Sequence, residues 1–228
     1  MELLCGLHLG YAKATQRRPR LHALGLGTPI LLVLMSLLND GQTYAAADST
    51  APIADGWTMP TTSLYVDTPA PLKYKVHRLA HYWITEGKGW DCECPYCRGF
   101  SKKYPTDIEG ARSWWQQQGK PEIKKNFLYS DGALVPYFPL FANHSEAQLQ
   151  KEAAMARVGH NHWIIQRLGS KARKVAAAPK HLHEWGQKVV ESYLSSPAGT
   201  SWKAAIREAW KLVDWTMKAL DDSAPNPL

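Results

Sequence analysis

The sequence predicts an α/β chain in three parts: parallel strands with helices, then a zinc-binding segment, then helices. Three observations carry this prediction. Short apolar runs closed by glycine alternate with a helical run before Asp48, as in parallel α/β units. Cys92, Cys94 and Cys97 fall within six residues. From Ser145 onward, apolar residues recur at helical spacing.

The elements follow in order. Leu3–Leu9, ended by Gly10, predicts a strand, and Gln16–Pro19 a polar loop. Arg20–Leu26 predicts a second strand, closed by Gly25, Gly27 and Pro29. Ile30–Leu38 is the longest apolar run, far short of the ~20 residues of a membrane helix. Pro29 before it and Asn39-Asp40-Gly41 after it mark the ends of a buried helix. Thr43–Ala47 predicts a third strand, with Asp48-Ser49-Thr50 at its end. Proline and glycine punctuate Ala51–Pro71, within which Ser63–Val66 predicts a short strand. Leu72–Ile84 is expected to be helical, Gly87–Cys97 a loop, and Ile108–Gln118 a short helix. Lys120–Leu140 reads as irregular. Helices are expected over Ser145–Leu168, Pro179–Leu194 and Ser201–Leu220. Ser145 with Gln148 makes a capping-box pattern. Trp202, Ile206, Trp210, Val213 and Met217 form an apolar stripe that predicts core packing. The expected organisation is 1–71, 72–170 and 171–228.

Composition narrows the function classes. The chain has 228 residues, 45% apolar and 21% charged, which is globular rather than disordered. Four cysteines are too few to staple a chain of this size. Met1-Glu2-Leu3-Leu4 lacks the basic start of a signal peptide. A reducing, cytoplasmic setting is therefore expected, with no membrane span. The formal charge of +7 hints at a polyanionic partner. Its distribution says more. No acid occurs from Ala153 to His183, where Arg157, Arg167, Lys171, Arg173, Lys174 and Lys180 fall. Either a solvated helix face or a nucleic-acid contact accounts for such a run.

Cys92-Glu93-Cys94-Pro95-Tyr96-Cys97 carries the most specific chemistry. Three thiolates so close converge on one ion if the loop wraps around it. A structural zinc takes four tetrahedral S or N ligands, so a fourth is required. His160 in Gly159-His160-Asn161-His162 is the best candidate, because Gly159 removes a side chain where the helix would approach the loop. His162 and His144 are the alternatives. With all four positions filled by protein, the site is structural rather than catalytic. Cys5, in an apolar run, reads as a small core residue.

This cysteine pattern followed by a helix bearing His-Asn resembles the zinc site of the tRNA-guanine transglycosylase superfamily. Two further matches precede it in the family's order. Cys5-Gly6-Leu7-His8-Leu9-Gly10 resembles the Gly-Gly-Leu-x-Val-Gly strand end that holds the base. Arg20–Pro29 resembles the strand ending Gly-(Val/Leu)-Gly-x-Pro. Asp48-Ser49-Thr50-Ala51-Pro52 resembles the segment whose Asp is the covalent nucleophile. The chain departs from the tRNA enzymes in three ways. Cys5 replaces the first glycine, no arginine follows Pro52, and the stretch from Cys97 to His160 is longer. These departures resemble the branch that inserts 7-deazaguanines into DNA more than the queuosine enzymes of tRNA.

The resemblance implies the C-terminal strands and helices of a TIM (β/α)8 barrel with a zinc-binding subdomain and C-terminal helices. It implies zinc on Cys92, Cys94, Cys97 and His160, base contacts from Gly6 and Leu7, and Asp48 as nucleophile. Its reaction is exchange of guanine for a 7-deazaguanine base in DNA or tRNA through a covalent Asp48 glycosyl-enzyme. On its own, Asp48 before Ser-Thr equally fits a turn cap. The family's general acid/base lies in the first half of its barrel, and Asp40, Asp55 and Asp67 do not match it. A partner chain supplying that half is therefore expected. The second expectation is a non-catalytic, zinc-stabilised nucleic-acid-binding subunit of a transglycosylase complex.

Overall fold

The computed structural model describes residues 1–17, 23–24, 27–39, 47–48, 50–57, 63–67, 70–75, 92–104, 117, 147–196 and 198–222. They form seven helices and four short strands: α1 (Glu2–Thr15), β1 (Ala23–Leu24), α2 (Pro29–Leu38), β2 (Ala47–Asp48), α3 (Ala51–Trp57), β3 (Ser63–Val66), β4 (Leu72–Lys75), α4 (Pro95–Ser101), α5 (Ala147–Val175), α6 (Pro179–Ser195) and α7 (Thr200–Asp222). No helix among the described residues is long and apolar enough to cross a membrane.

The expected portion of a TIM barrel is overturned. Helices dominate the described residues, and their strands form two separate two-stranded sheets, β1-β2 and β3-β4. A barrel needs eight strands closed side by side, each shielded by its helix. One local piece of the α/β reading is present. β1 and β2 pair in parallel, Ala23 opposite Ala47 and Leu24 opposite Asp48, with α2 between them in sequence.

Two compact units divide the chain. The first comprises 1–51, 66–72 and 164–228, and the second 52–65 and 73–163. In the first unit α7 packs against α1, α2 and α6, and α6 against α2. Helix α2 is apolar on every face and buried from Leu32 to Leu38, as a helix wrapped by others must be. Pro29 stands in its first turn, where its missing N–H is not needed. Gly186 lets α6 approach, since a Cβ there would lie 2.6 Å from Leu37 Cδ1. Ile206, Val213, Met217 and Leu220 of α7 are buried, each contributing about 1.5–3 kcal/mol. Trp202, expected in that stripe, is instead 48% exposed.

Residues 3–9, expected as a strand, belong to α1. Acidic Glu2 in its first turn and Lys13 in its last suit the helix dipole. Cys5 and His8, one turn apart, bury its inner face. His8 Nδ1 donates to the Leu4 carbonyl at 2.9 Å, and Nε2 lies 3.2 Å from the Asn39 side-chain amide at the end of α2. The helix stops at Gln16, whose φ of 56° is left-handed.

In the second unit residues 52–57, within the stretch punctuated by proline and glycine, belong to α3. Pro52 holds the second helical position, which tolerates proline. Residues 72–75, expected as helix, are β4, beside β3. Leu72-Lys73-Tyr74-Lys75 alternates apolar and basic, which is a strand period. The expected helix at Ile108–Gln118 lies outside the described residues apart from Gln117, as do 120–140 and Ser145 of the capping box.

Candidate metal centre

Cys92, Cys94, Cys97 and His160 converge. One ligand atom from each lies within 4.8 Å of all the others. Local structure explains how three neighbouring cysteines face one point. Cys94 is the N-cap of α4, with extended backbone (φ −63°, ψ 146°), and Pro95 opens the helix. Cys97 lies in the first turn, and its backbone N–H donates to Cys94 Sγ at 3.2 Å. That turn brings the Cys97 side chain back beside the cap.

His160 comes from the middle of α5, 63 residues beyond Cys97. Its Nδ1 lies 3.3, 3.5 and 3.6 Å from the sulfurs of Cys92, Cys94 and Cys97. Zn–S and Zn–N bonds of about 2.3 and 2.0 Å at a tetrahedral centre hold N and S roughly 3.5 Å apart. The three N–S spacings therefore match those around a four-coordinate ion of that size. His160 Nε2–H donates to the Tyr65 carbonyl at 2.7 Å. That bond fixes the tautomer and points Nδ1 at the sulfurs. His162 is not among the converging ligands, and His144 lies outside the described residues.

Hydrogen bonds from the Cys92 and Cys97 thiols hold Cys94 far below the ordinary thiol value. Contacts with Cys92 and Cys94, with burial, push Cys97 far above it. Three thiolates do not ionise together at this distance without a positive ion among them. Burial disfavours a charged His160, but Cys92 and Cys94 outweigh it and raise its pKa to about 9. The convergence of the four ligand atoms is what fits a metal ion.

Around the ligands, α5 gathers the rest of the unit. Asn161 is fully buried. Its Oδ1 accepts from Tyr65 N–H at 2.9 Å, and its Nδ2 donates to the carbonyls of Ser63 (3.1 Å) and Pro52 (3.2 Å). Arg157, expected on a solvated or nucleic-acid-facing surface, is 1% exposed. Its Nε donates to the Gly56 carbonyl at 2.8 Å, and burial lowers its pKa to about 10, so it stays charged at neutral pH. Tyr65 donates its hydroxyl to Asp55 Oδ2 at 2.6 Å, and Lys73 Nζ lies 2.6 Å from Asp55 Oδ1. From the sequence, Asn161 stood out only within the His-Asn motif, Asp55 only as a carboxylate matching no acid/base, and Arg157 on the wrong surface; Tyr65 and Lys73 gave no sign of a site. One signal was available: Asn161 sits deep in a long helix, a place asparagine avoids unless its amide is used elsewhere.

Gly159 fulfils the expectation placed on it. A Cβ there would lie 2.3 Å from Tyr96 Cδ1, so the Tyr96 ring occupies the space a side chain would fill. The remaining residues fall elsewhere. Asp48 is the last residue of β2, opposite Leu24. Gly6 and Leu7 lie on the exposed side of α1, with Leu7 49% exposed. The strand end expected to present their backbone to a base is helix instead, where those groups bond within the helix. Cys5 is buried, as expected of a core residue.

Three thiols and an imidazole converging on one point, with a hydrogen bond behind the histidine, make a cluster that could hold a metal ion. No family model, curated protein or solved structure matches the chain.

Proposed function

We propose that the chain is the metal-braced part of a guanine transglycosylase acting on nucleic acid, DNA or tRNA. The observation that carries this reading is the metal centre. The family resemblance requires a Cys-x-Cys-x-x-Cys loop closed by the His of a later His-Asn helix, and Cys92, Cys94, Cys97 and His160 meet at ligand distance. Zinc is the ion assigned, since three thiolates and an imidazole in a tetrahedral array suit it. Zinc would supply folding energy here, tying the cysteine loop to α5.

Asp48 is the proposed nucleophile. The segment Asp48-Ser49-Thr50-Ala51-Pro52, which resembles the family's nucleophile segment, supports this reading. The carboxylate attacks the sugar C1′ of a target guanosine. The C1′–N9 bond breaks and guanine leaves with a proton from a general acid. The 7-deazaguanine gives up its proton to the same group, attacks C1′ and releases Asp48. Two displacements retain configuration. A partner chain is proposed to supply the acid/base, and a duplex target needs its base flipped out.

The test is covalent trapping. The metal-loaded chain, with any partner that copurifies, is incubated with guanine-containing DNA or tRNA and a 7-deazaguanine. A denaturation-resistant adduct that Asp48→Ala abolishes is expected. An adduct that persists in Asp48→Ala, or none with either nucleic acid, refutes the catalytic reading.

The closed metal site and the cations of α5 favour a second reading, a non-catalytic nucleic-acid-binding subunit. It predicts salt-dependent binding that Asp48→Ala leaves unchanged and no adduct.

A further inference from the structure

Of the cations expected on one face, the structure buries or pairs some and leaves others exposed near the connection of α5 to α6. Arg157 is buried. Arg167 Nε and Lys171 Nζ both lie 2.9 Å from Asp67 Oδ2, a carboxylate only 7% exposed. Beyond them, Arg173 and Lys174 end α5, and Lys180 and His181 lie in the first turn of α6, all four exposed.

Helix stability accounts for half of this cluster. Cations in the last turn of α5 complement the helix dipole. In the first turn of α6 the dipole opposes them, and that turn holds no acid to offset them. Lys180 thus carries the positive run across the connection against local electrostatic preference. No large apolar side chain between residues 156 and 201 is exposed among the described residues. A membrane-surface helix needs such side chains to insert, so the patch suits a polyanion in water.

We infer that the surface formed by Arg173, Lys174, Lys180 and His181 binds the phosphodiester backbone of the nucleic acid, independently of its sequence. This rests on the reading that the chain acts on nucleic acid, and adds where the strand lies on the first unit. Phosphate contacts position a strand without reading it, and each adds to the salt dependence of binding.

The experiment compares the full metal-loaded chain with Arg173→Gln/Lys174→Gln/Lys180→Gln by fluorescence anisotropy. The probes are a single-stranded DNA 30-mer and an RNA stem-loop, each titrated from 50 to 200 mM salt. Removing three contacts on the single strand should flatten the log–log salt slope by about two, at roughly 0.7 per contact. The single variant Lys180→Glu should weaken binding in the same direction, and it keeps the test open if the triple variant folds poorly. Lys188→Gln/Lys211→Gln, two exposed lysines elsewhere on the unit, should leave the slope unchanged. An unchanged slope in the triple variant and unchanged binding in Lys180→Glu, with wild type binding normally, overturns this surface alone. Equal losses in the lysine control also overturn it. A wild type that binds neither probe overturns the nucleic-acid reading and this inference together. Binding to anionic phosphatidylserine vesicles instead of both probes does the same.

Discussion

At the residue scale, His160 and Tyr65 carry the most. Nδ1 of His160 faces three sulfurs while Nε2–H is held by the Tyr65 carbonyl. Removing the ring removes a ligand, and even outer-shell partners change metal affinity about 10–100-fold. His160→Ala should therefore weaken zinc binding by more than about 100-fold, measured by competition with a chromophoric chelator, while His162→Ala binds as wild type. Equal affinities would remove His160 from the site. Tyr65 makes a second, pH-dependent prediction. Burial, then the hydrogen bond to Asp55 and the charge of that carboxylate, raise its pKa far above the ordinary 10. The raised value favours the neutral phenol in the folded state. The stability it confers is whole below pH 10 and falls as pH rises beyond it, where only the unfolded chain ionises. Tyr65→Phe loses a hydrogen bond to a charged group, about 1.5–3 kcal/mol. The stability gap between wild type and variant should narrow above pH 10 in urea titrations. A constant gap would place Tyr65 outside the linkage.

At the element scale, the approach of α4 to α5 depends on Gly159. Its absent side chain leaves room for the Tyr96 ring. Gly159→Ala should lose about 1–3 kcal/mol through overpacking, and weaken metal binding by moving the cysteine loop. Trimming the obstacle in Gly159→Ala/Tyr96→Ala should restore much of the affinity. Gly99→Ala in α4, with nothing within 4 Å of its Cβ, should be neutral or stabilising. If both single variants behave alike in metal competition and thermal melts, the close approach is not what sets the geometry. The helices bounded by clear punctuation were legible in the sequence. Pro29 and Asn39 bracket α2, and Pro179 opens α6. The cysteine loop was legible because its ligands are neighbours, and His160 as its best partner because Gly159 beside it clears the helix's approach. Residues 3–9 misled because a short apolar run fits strand and helix alike. The Pro52 and Gly56 of α3 look like loop punctuation, yet proline fits a first turn. Gly56 is there for close packing, since a Cβ on it would lie 2.7 Å from the Val158 backbone nitrogen. The contacts of Asn161 and Tyr65 are tertiary, between residues 96 apart, so the sequence marks Asn161 as unusual for a helix interior but not what it bonds.

At the scale of the whole molecule, the two units differ in what holds them. The first has an apolar core, with α2 buried beneath α6 and α7. The second draws α3, β3 and the cysteine loop onto α5 through directed polar bonds, from Arg157 to Gly56, Asn161 to Ser63 and Pro52, and His160 to Tyr65. Such bonds are worth only about 0.5–1.5 kcal/mol each, more when charged. An apparent metal-binding free energy of about 10–16 kcal/mol, as in small zinc domains, exceeds their sum and depends on the same geometry. Removing the metal should therefore act unequally on the chain. After treatment with a chelator, amide hydrogen exchange should accelerate by orders of magnitude in Pro95–Ser101 and in residues 147–163. It should change little in Thr200–Asp222, whose protection rests on Ile206, Val213, Met217 and Leu220. Added zinc should restore the slow exchange. Uniform acceleration along the chain would mean that the ion sustains both units. No acceleration would mean that the thiol and histidine contacts hold the second unit without it.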